Sequence, residues 1–210
     1  ASAVACSVED SLKYLSGNRA IVTGYPTRSQ FQNTTREEGA QRFGLDSQRT
    51  TLLVTGGSLG AHHINLMVAR GLRELLERAQ IIHIAGHEEE AWLARERERL
   101  PAWQQERYAL RAYTDEMAWA MAAADLAVTR AGASVLGELP VAGLPAIVIP
   151  ADFSDQRDNA AYLERHGASA TLNGSEVDHL ADEILRLLDL SLIHISEPTR
   201  RTPISYAVFC

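Results

Sequence analysis

From Thr50 onward the chain keeps one rhythm: a short apolar run, a turn, a longer stretch with helical spacing, then another apolar run. The runs fall at 51–55, 80–85, 108–112, 126–130, 146–150 and 168–172. Most are bounded by turn residues and apolar along their length, the pattern of strands buried on both faces. Between the first two, Ile64, Met67 or Val68, Leu72, Leu75 and Leu76 form an apolar stripe at helical spacing. The stretch 88–100 is charged, with Trp92 and Leu93 on one side, and reads as an outer helix. Residues 115–123 are alanine-rich, with Thr114 placed to cap them. A short helix over 133–141 stops at Gly143-Leu144-Pro145, and one over 157–166 stops at Gly167. Ser175 opens a last helix, with Ile184, Leu185 and Leu188 on its apolar stripe. Strands that alternate with helices pair in parallel through right-handed crossovers. The expected fold is therefore α/β, a doubly wound parallel Rossmann-like sheet that binds ligands beyond the carboxyl ends of its strands.

That placement singles out the loops 56–60, 86–87, 113–115, 130–134 and 151–156. Charge limits what they can bind. The formal net charge is −7, which argues against broad nucleic-acid binding but leaves room for a local basic pocket. No run approaches the roughly 20 apolar residues of a membrane span. Cys6 and Cys210 lie at opposite ends and form neither a disulfide framework nor a zinc spacing, which suits a reducing compartment. His62 and His63 are adjacent, so on a helix they do not share a face. Neither a metal nor a cofactor is expected.

The glycine loop, Gly56-Gly57-Ser58-Leu59-Gly60, admits two readings. Its letters fit G-x-S-x-G, the elbow that presents a nucleophilic serine in α/β-hydrolases. Asp152 or Asp155 would then be the acid of a triad and His166 or His179 the base, although no HGGG-type segment precedes Ser58. Physically, the loop is also a strand-to-helix turn that aims backbone N–H groups and a helix dipole at an anion. A second such turn follows in "TRAGASVLGEL", where a strand runs into Gly132-Ala133-Ser134. Two converging helix ends suit a diphosphate. Glu138, one turn into that helix, can accept two hydrogen bonds from a ribose diol, or it can simply complement the dipole. In "PADFSDQRDNA", Asp152, Asp155, Gln156 and Asn159 can bond a sugar, or form a solvated loop and helix cap. In "TGYPTR" a rigid Gly24–Pro26 bend precedes Arg28, either a bidentate phosphate ligand or an ordinary exposed arginine.

The two ends fall outside the rhythm. Residues 1–25 hold "SVEDSLKYL" and the strand-like "RAIVTGYP", and read as the end of another domain plus a linker. The last twenty residues, "SLIHISEPTRRTPISYAVFC", lack a clear period and resemble a translated sequencing adapter. They carry no expectation about fold or function.

In their order and spacing, "TGYPTR", "GGSLGAHHIN", "ADLAVTRAGASVLGEL", "AGLPAIVIP" and "DQRDNA" resemble the carboxyl-terminal half of the MurG-type glycosyltransferases, over about residues 1–190. The resemblance implies one half of a two-domain GT-B enzyme. Such enzymes invert the anomeric centre and move N-acetylglucosamine from UDP-GlcNAc to a lipid-linked muramyl-pentapeptide in peptidoglycan synthesis. It implies a donor domain over 26–190 and an acceptor domain, carrying the catalytic base and the membrane-facing surface, ahead of this chain. The whole enzyme would be cytoplasmic and peripheral at the inner face of the bacterial plasma membrane. By the same resemblance Arg28 contacts the diphosphate, and Gly57, Ser58 and Leu59 lie at the donor phosphates and sugar. Thr114 offers its backbone to the uracil, while Ala133, Ser134 and Val135 direct N–H groups at the phosphates. Glu138 takes the ribose hydroxyls, and Asp155 and Gln156 reach the sugar hydroxyls. Leu59 stands where the family usually has Gln, Tyr25 where it has Asn, and Asp155 where it often has His or Gln. UDP-GlcNAc 2-epimerases share the two-domain architecture, but their acid and base residues have no counterpart in these motifs.

Overall fold

The computed structural model describes residues 3–15, 19–56, 61–151 and 156–195, with backbone alone for 191–195. Six strands carry the fold: β3 (Thr51–Thr55), β4 (Gln80–Ile84), β5 (Tyr108–Arg111), β6 (Leu126–Thr129), β7 (Ala146–Val148) and β8 (Ser169–Thr171). They form one parallel sheet in the order β5-β4-β3-β6-β7-β8. The apolar runs therefore mark the strands correctly. Two further strands, β1 (Val4–Cys6) and β2 (Ala20–Val22), pair in parallel as a separate small sheet. The "RAIVTGYP" run thus contains a strand, and its partner is the less conspicuous Val4-Ala5-Cys6.

Helices fill the crossovers. They are α1 (Gln30–Asn33), α2 (Arg36–Phe43), α3 (His62–Arg70), α4 (Leu72–Arg78), α5 (Glu90–Glu98) and α6 (Ala102–Gln105), followed by α7 (Met117–Ala123), α8 (Val135–Ala142), α9 (Gln156–Arg165) and α10 (Leu180–Ile195). The apolar stripe from Ile64 to Leu76 is split into α3 and α4 at Gly71. A Cβ there would stand 2.5 Å from the Cβ of Ala181, so the glycine lets α10 cross closely. Helix α2 was not anticipated, yet its start is written locally. The Thr35 hydroxyl accepts from Glu38 N–H, and the Glu38 carboxylate accepts from Thr35 N–H, a reciprocal capping box. The last helix opens as a 3₁₀ turn, Gly174–His179, and its backbone continues through Ile195, past the expected boundary at residue 191.

Every residue of β3, β4, β6 and β7 is buried because helices cover both faces of the sheet. Leu53, Ile82, Ala127 and Val148 pack on one side with residues of α2, α7, α8 and α9. Leu52, Val54, Ile81, Val128 and Ile147 pack on the other with residues of α3, α4 and α10. At the amino end of the sheet, Arg36 makes a two-point bond to Asp125, both arms 2.8 Å long, and Asp125 also accepts from Thr51 N–H. This clamp ties α2 to the starts of β3 and β6.

Candidate functional site

The chain winds outward from β3 through β4 to β5, then returns to the other side of β3 with β6. Neighbouring connections leave in opposite directions between β3 and β6, which opens a crevice beyond their carboxyl ends. Strand β3 ends just before Gly56 and the Ala133-Ser134 turn follows β6, so both strand ends border that crevice. Gly57, Ser58, Leu59 and Asp155 lie outside the described residues.

Both helices that start at the crevice lack a side-chain cap. Ala61, ahead of α3, has no side chain that can cap, and Ser134, ahead of α8, directs its hydroxyl to the Glu138 side chain and not to a first-turn amide. Among the described residues the Ala133 and Ser134 amides have no acceptor, so they remain available to an anion. Val135 departs from expectation. Its N–H is donated to Gly132 O at 3.3 Å, closing the turn, so two amides rather than three are open there.

Arg28 reaches this end of the sheet through packing. The "TGYPTR" segment lies on the first turn of α8, where a Cβ added to Gly137 would meet Tyr25 Cβ at 2.8 Å and Thr27 Cγ2 at 2.9 Å. Arg28 makes no ion pair among the described residues, and its guanidinium sits 5.9 Å from the Phe31 ring centroid. It lies close enough to Glu138 and Tyr113 to act on both charges. Half-burial pushes the Glu138 carboxyl above its ordinary range, opposed by a hydrogen bond from Ser134 and by the positive charge of Arg28. Arg28, Ser134 and Glu138 thus form one cluster, with an acceptor and a cation side by side.

Thr114 lies beyond β5, but α7 starts later than expected, at Met117, with Glu116 and not Thr114 at the cap position. Its hydroxyl accepts from Glu116 N–H at 3.0 Å, just ahead of α7. Beside it, Tyr113 is exposed, stacks on His87 at 6.2 Å and 14° between planes, and donates to Asp115. Gln156 is placed beyond β7, but its Oε1 accepts from Ala151 N–H at 3.0 Å, so that oxygen braces its own loop. Asn159 donates to Ala131 O at 2.9 Å and ties α9 to the turn after β6.

The triad reading loses its base. His166 ends α9 and bonds Tyr162 O at 2.8 Å. Ten residues of helix, about 15 Å, carry it away from the crevice end of α9. His179 is exposed and faces Asp182 on its own segment.

A polar column behind the crevice was not anticipated. His83, fully buried in β4, lies 3.0 Å from Asn65 Oδ1 through Nε2 and 2.8 Å from the Tyr108 hydroxyl through Nδ1. Asn65 donates from Nδ2 to Ala85 O at 2.9 Å, so its Oδ1 accepts and His83 Nε2 carries the proton. Nδ1 then accepts from Tyr108. Burial lowers the His83 pKa to about 3, against a weak upward pull from the Glu89 charge. Glu89 in turn accepts from His62 Nδ1 at 2.9 Å and from Trp92 Nε1 at 2.8 Å. Burial alone would raise that carboxyl. The bonds from His62, Trp92 and Asn65 hold it below its ordinary value. The available signal was a lone histidine inside the otherwise apolar strand core Ile81-Ile82-His83-Ile84.

The strand order defines a doubly wound sheet of the Rossmann type, the fold of one half of a GT-B glycosyltransferase. The model for the glycosyltransferase family 28 C-terminal domain matches residues 51–200, and the chain belongs to that family. A UDP-N-acetylglucosamine--N-acetylmuramyl-(pentapeptide) pyrophosphoryl-undecaprenol N-acetylglucosamine transferase of Roseiflexus sp. (strain RS-1) is 39% identical over 229 residues, covering 90% of this chain and 52% of the relative. The protein of that name from Desulfitobacterium hafniense (strain Y51) is 40% identical over 163 residues, covering 73% of this chain and 43% of the relative. The chain spans about half the length of the curated relatives it matches. Among solved structures, Acinetobacter baumannii MurG superposes with a TM-score of 0.57 at 23% identity, covering 84% of this chain and 50% of that one. Neisseria meningitidis UDP-GlcNAc 2-epimerase, solved with UDP-GlcNAc, gives a TM-score of 0.64 at 14% identity, covering 97% and 57%. These two likenesses speak to the fold.

Proposed function

We propose that this chain is the donor-binding half of an inverting glycosyltransferase that moves N-acetylglucosamine from UDP-GlcNAc to a lipid-linked muramyl-pentapeptide. The observation that carries the reading is the cluster at the switch point: among the described residues, amides of Ala133 and Ser134 without an acceptor, Arg28 without an ion pair, and the half-buried carboxylate of Glu138. The relatives' names supply the sugar and the acceptor. In this reading residues 26–190 bind the donor, and residues 1–25 close an acceptor-side domain and link the two. Residues 191–210 are foreign to the parent protein, on their sequence resemblance. Gly57, Ser58 and Leu59 line the phosphates and sugar, Thr114 meets the uracil, and Asp155 and Gln156 reach the sugar hydroxyls. The complete enzyme works at the inner face of the plasma membrane, where its acceptor is anchored.

The chemistry follows from charge. As the glycosidic bond to UDP breaks, negative charge grows on the β-phosphate. Fixed N–H groups, a helix dipole and Arg28 stabilise that charge with little reorganisation. The base that deprotonates the acceptor hydroxyl belongs to the acceptor half. The chain alone is therefore expected to bind UDP without turnover. Calorimetric titration of the 210-residue chain with UDP tests this, with an expected Kd of about 1 mM or tighter and weaker binding of uridine. A folded sample that gives no heat with UDP at several times about 1 mM overturns the reading.

A further inference from the structure

Helix α3 begins at the crevice with no side-chain cap; buried Ile64 and the bond from His62 to Glu89 hold part of its first turn. A further tie comes from β4. Asn65 is the first residue of α3 to make an intrahelical bond, Asn65 N to Ala61 O at 3.0 Å, and its side chain is fully buried. That side chain grips Ala85 O, just past the end of β4, and accepts from His83 Nε2 at 3.0 Å. The second arm of His83 runs the other way, to Tyr108 on β5.

We propose that His83 is a positioning residue for the switch-point site, acting through Asn65 to hold the first turn of α3, while its bond from Tyr108 serves fold stability alone. An apolar residue at 83 would pack with Ile81 and Val54 on the same face without burying an imidazole. The polar choice makes sense only if one of the arms does something packing cannot. Asn65 stands one turn from the open helix end, and a tilt there moves the amides that face the crevice. Tyr108 stands at the start of β5, the opposite end of the sheet. The effect on ligand rests on the nucleotide reading above; the effect on the helix does not.

Two substitutions separate the arms. His83→Gln puts an amide nitrogen near the ε position and keeps the bond to Asn65. His83→Asn puts an oxygen near the δ position and keeps the bond from Tyr108. Amide hydrogen exchange over residues 63–66 and titration with UDP are compared in wild type and both variants. His83→Gln is expected to stay within about twofold of wild type in UDP affinity, with protected amides. His83→Asn is expected to lose about tenfold in affinity, the scale of one net hydrogen bond, and to exchange faster over 63–66. Asn65→Ala and Tyr108→Phe repeat the division without touching His83, and they decide the matter should His83→Asn fail to fold. Equal exchange over 63–66 in the two members of a pair overturns the proposal. A wild type that binds no UDP overturns the nucleotide reading instead, and the exchange pattern still decides the role of His83.

Discussion

Gly137 and Tyr25 touch so closely that a single added methyl on the glycine would lie 2.8 Å from the tyrosine Cβ. One is in the first turn of α8 and the other in the segment that ends at Arg28. The missing side chain of Gly137 is what lets that segment lie flat and delivers a cation beside Glu138. Gly137→Ala is expected to cost about 1–3 kcal/mol by overpacking and to weaken UDP binding with it, read by urea denaturation and calorimetry. A variant with wild-type affinity would separate Arg28 from this contact.

Arg28→Ala should divide the two measurements. Arg28 has no ion pair among the described residues, so stability is expected to change by less than about 0.5 kcal/mol. A charge-assisted bond to phosphate is worth about 1.5–3 kcal/mol, so UDP affinity should fall at least tenfold, and its salt dependence should weaken.

Glu138→Gln tests the ribose contact. A carboxylate bonds a vicinal diol through two acceptors, whereas a carboxamide has one. The variant is expected to lose much of its discrimination between UDP and 2′-deoxy-UDP, measured by titration. In the wild type, desolvation raises the pKa of the Glu138 carboxyl, so the unliganded native state holds this proton at higher pH than the unfolded chain does. Glu138 therefore disfavours folding at neutral pH, and Glu138→Gln should leave the unliganded protein no less stable there.

His83 predicts a pH dependence. Its folded pKa is lowered to about 3 from the ordinary 6.5, so between those values the unfolded chain binds a proton that the native state refuses. Stability from this group is complete above about pH 6.5 and declines as pH falls toward 3, by at most about 1.4 kcal/mol per pH unit. Urea denaturation of wild type and His83→Gln at matched pH isolates it. The two should converge as pH drops.

Asp125→Ala supplies the contrasting case. The Arg36 clamp sits at the amino end of the sheet, away from the crevice. Its loss removes the carboxylate from a guanidinium that keeps its bonds to Ser47 O and Arg49 O, and leaves the Thr51 amide unpaired, at a cost of about 1–3 kcal/mol. UDP affinity at a temperature where the variant is folded should be unchanged.

The strands were legible because burial on both faces leaves a mark that needs no knowledge of neighbours: Leu52-Leu53-Val54 and Ala146-Ile147-Val148 can hardly be anything else. The stops at Gly143 and Gly167 were legible for the same local reason. Helix α2 could have been read from Thr35 and Glu38, since a capping box is a local device. The break at Gly71 could not, because its cause is Ala181, more than a hundred residues away in the chain.

The site divides along the same line. The sequence by itself determined the residue types, since a glycine turn, a second helix start, an arginine after Pro26 and a carboxylate at 138 are local chemistry on known loops. Only the tertiary structure decided which of them meet. The strand order puts the carboxyl ends of β3 and β6 on one crevice, and the bare flank of Gly137 brings Arg28 to Glu138. Packing also commits the Val135 amide and the Gln156 oxygen to their own loops. Hydrogen bonds are short and directional, so a polar group's partner is set by which backbone lies within about 3 Å. That is a property of the packed sheet, and Asn65, His83 and Tyr108 became a column only when β4 and β5 were laid side by side.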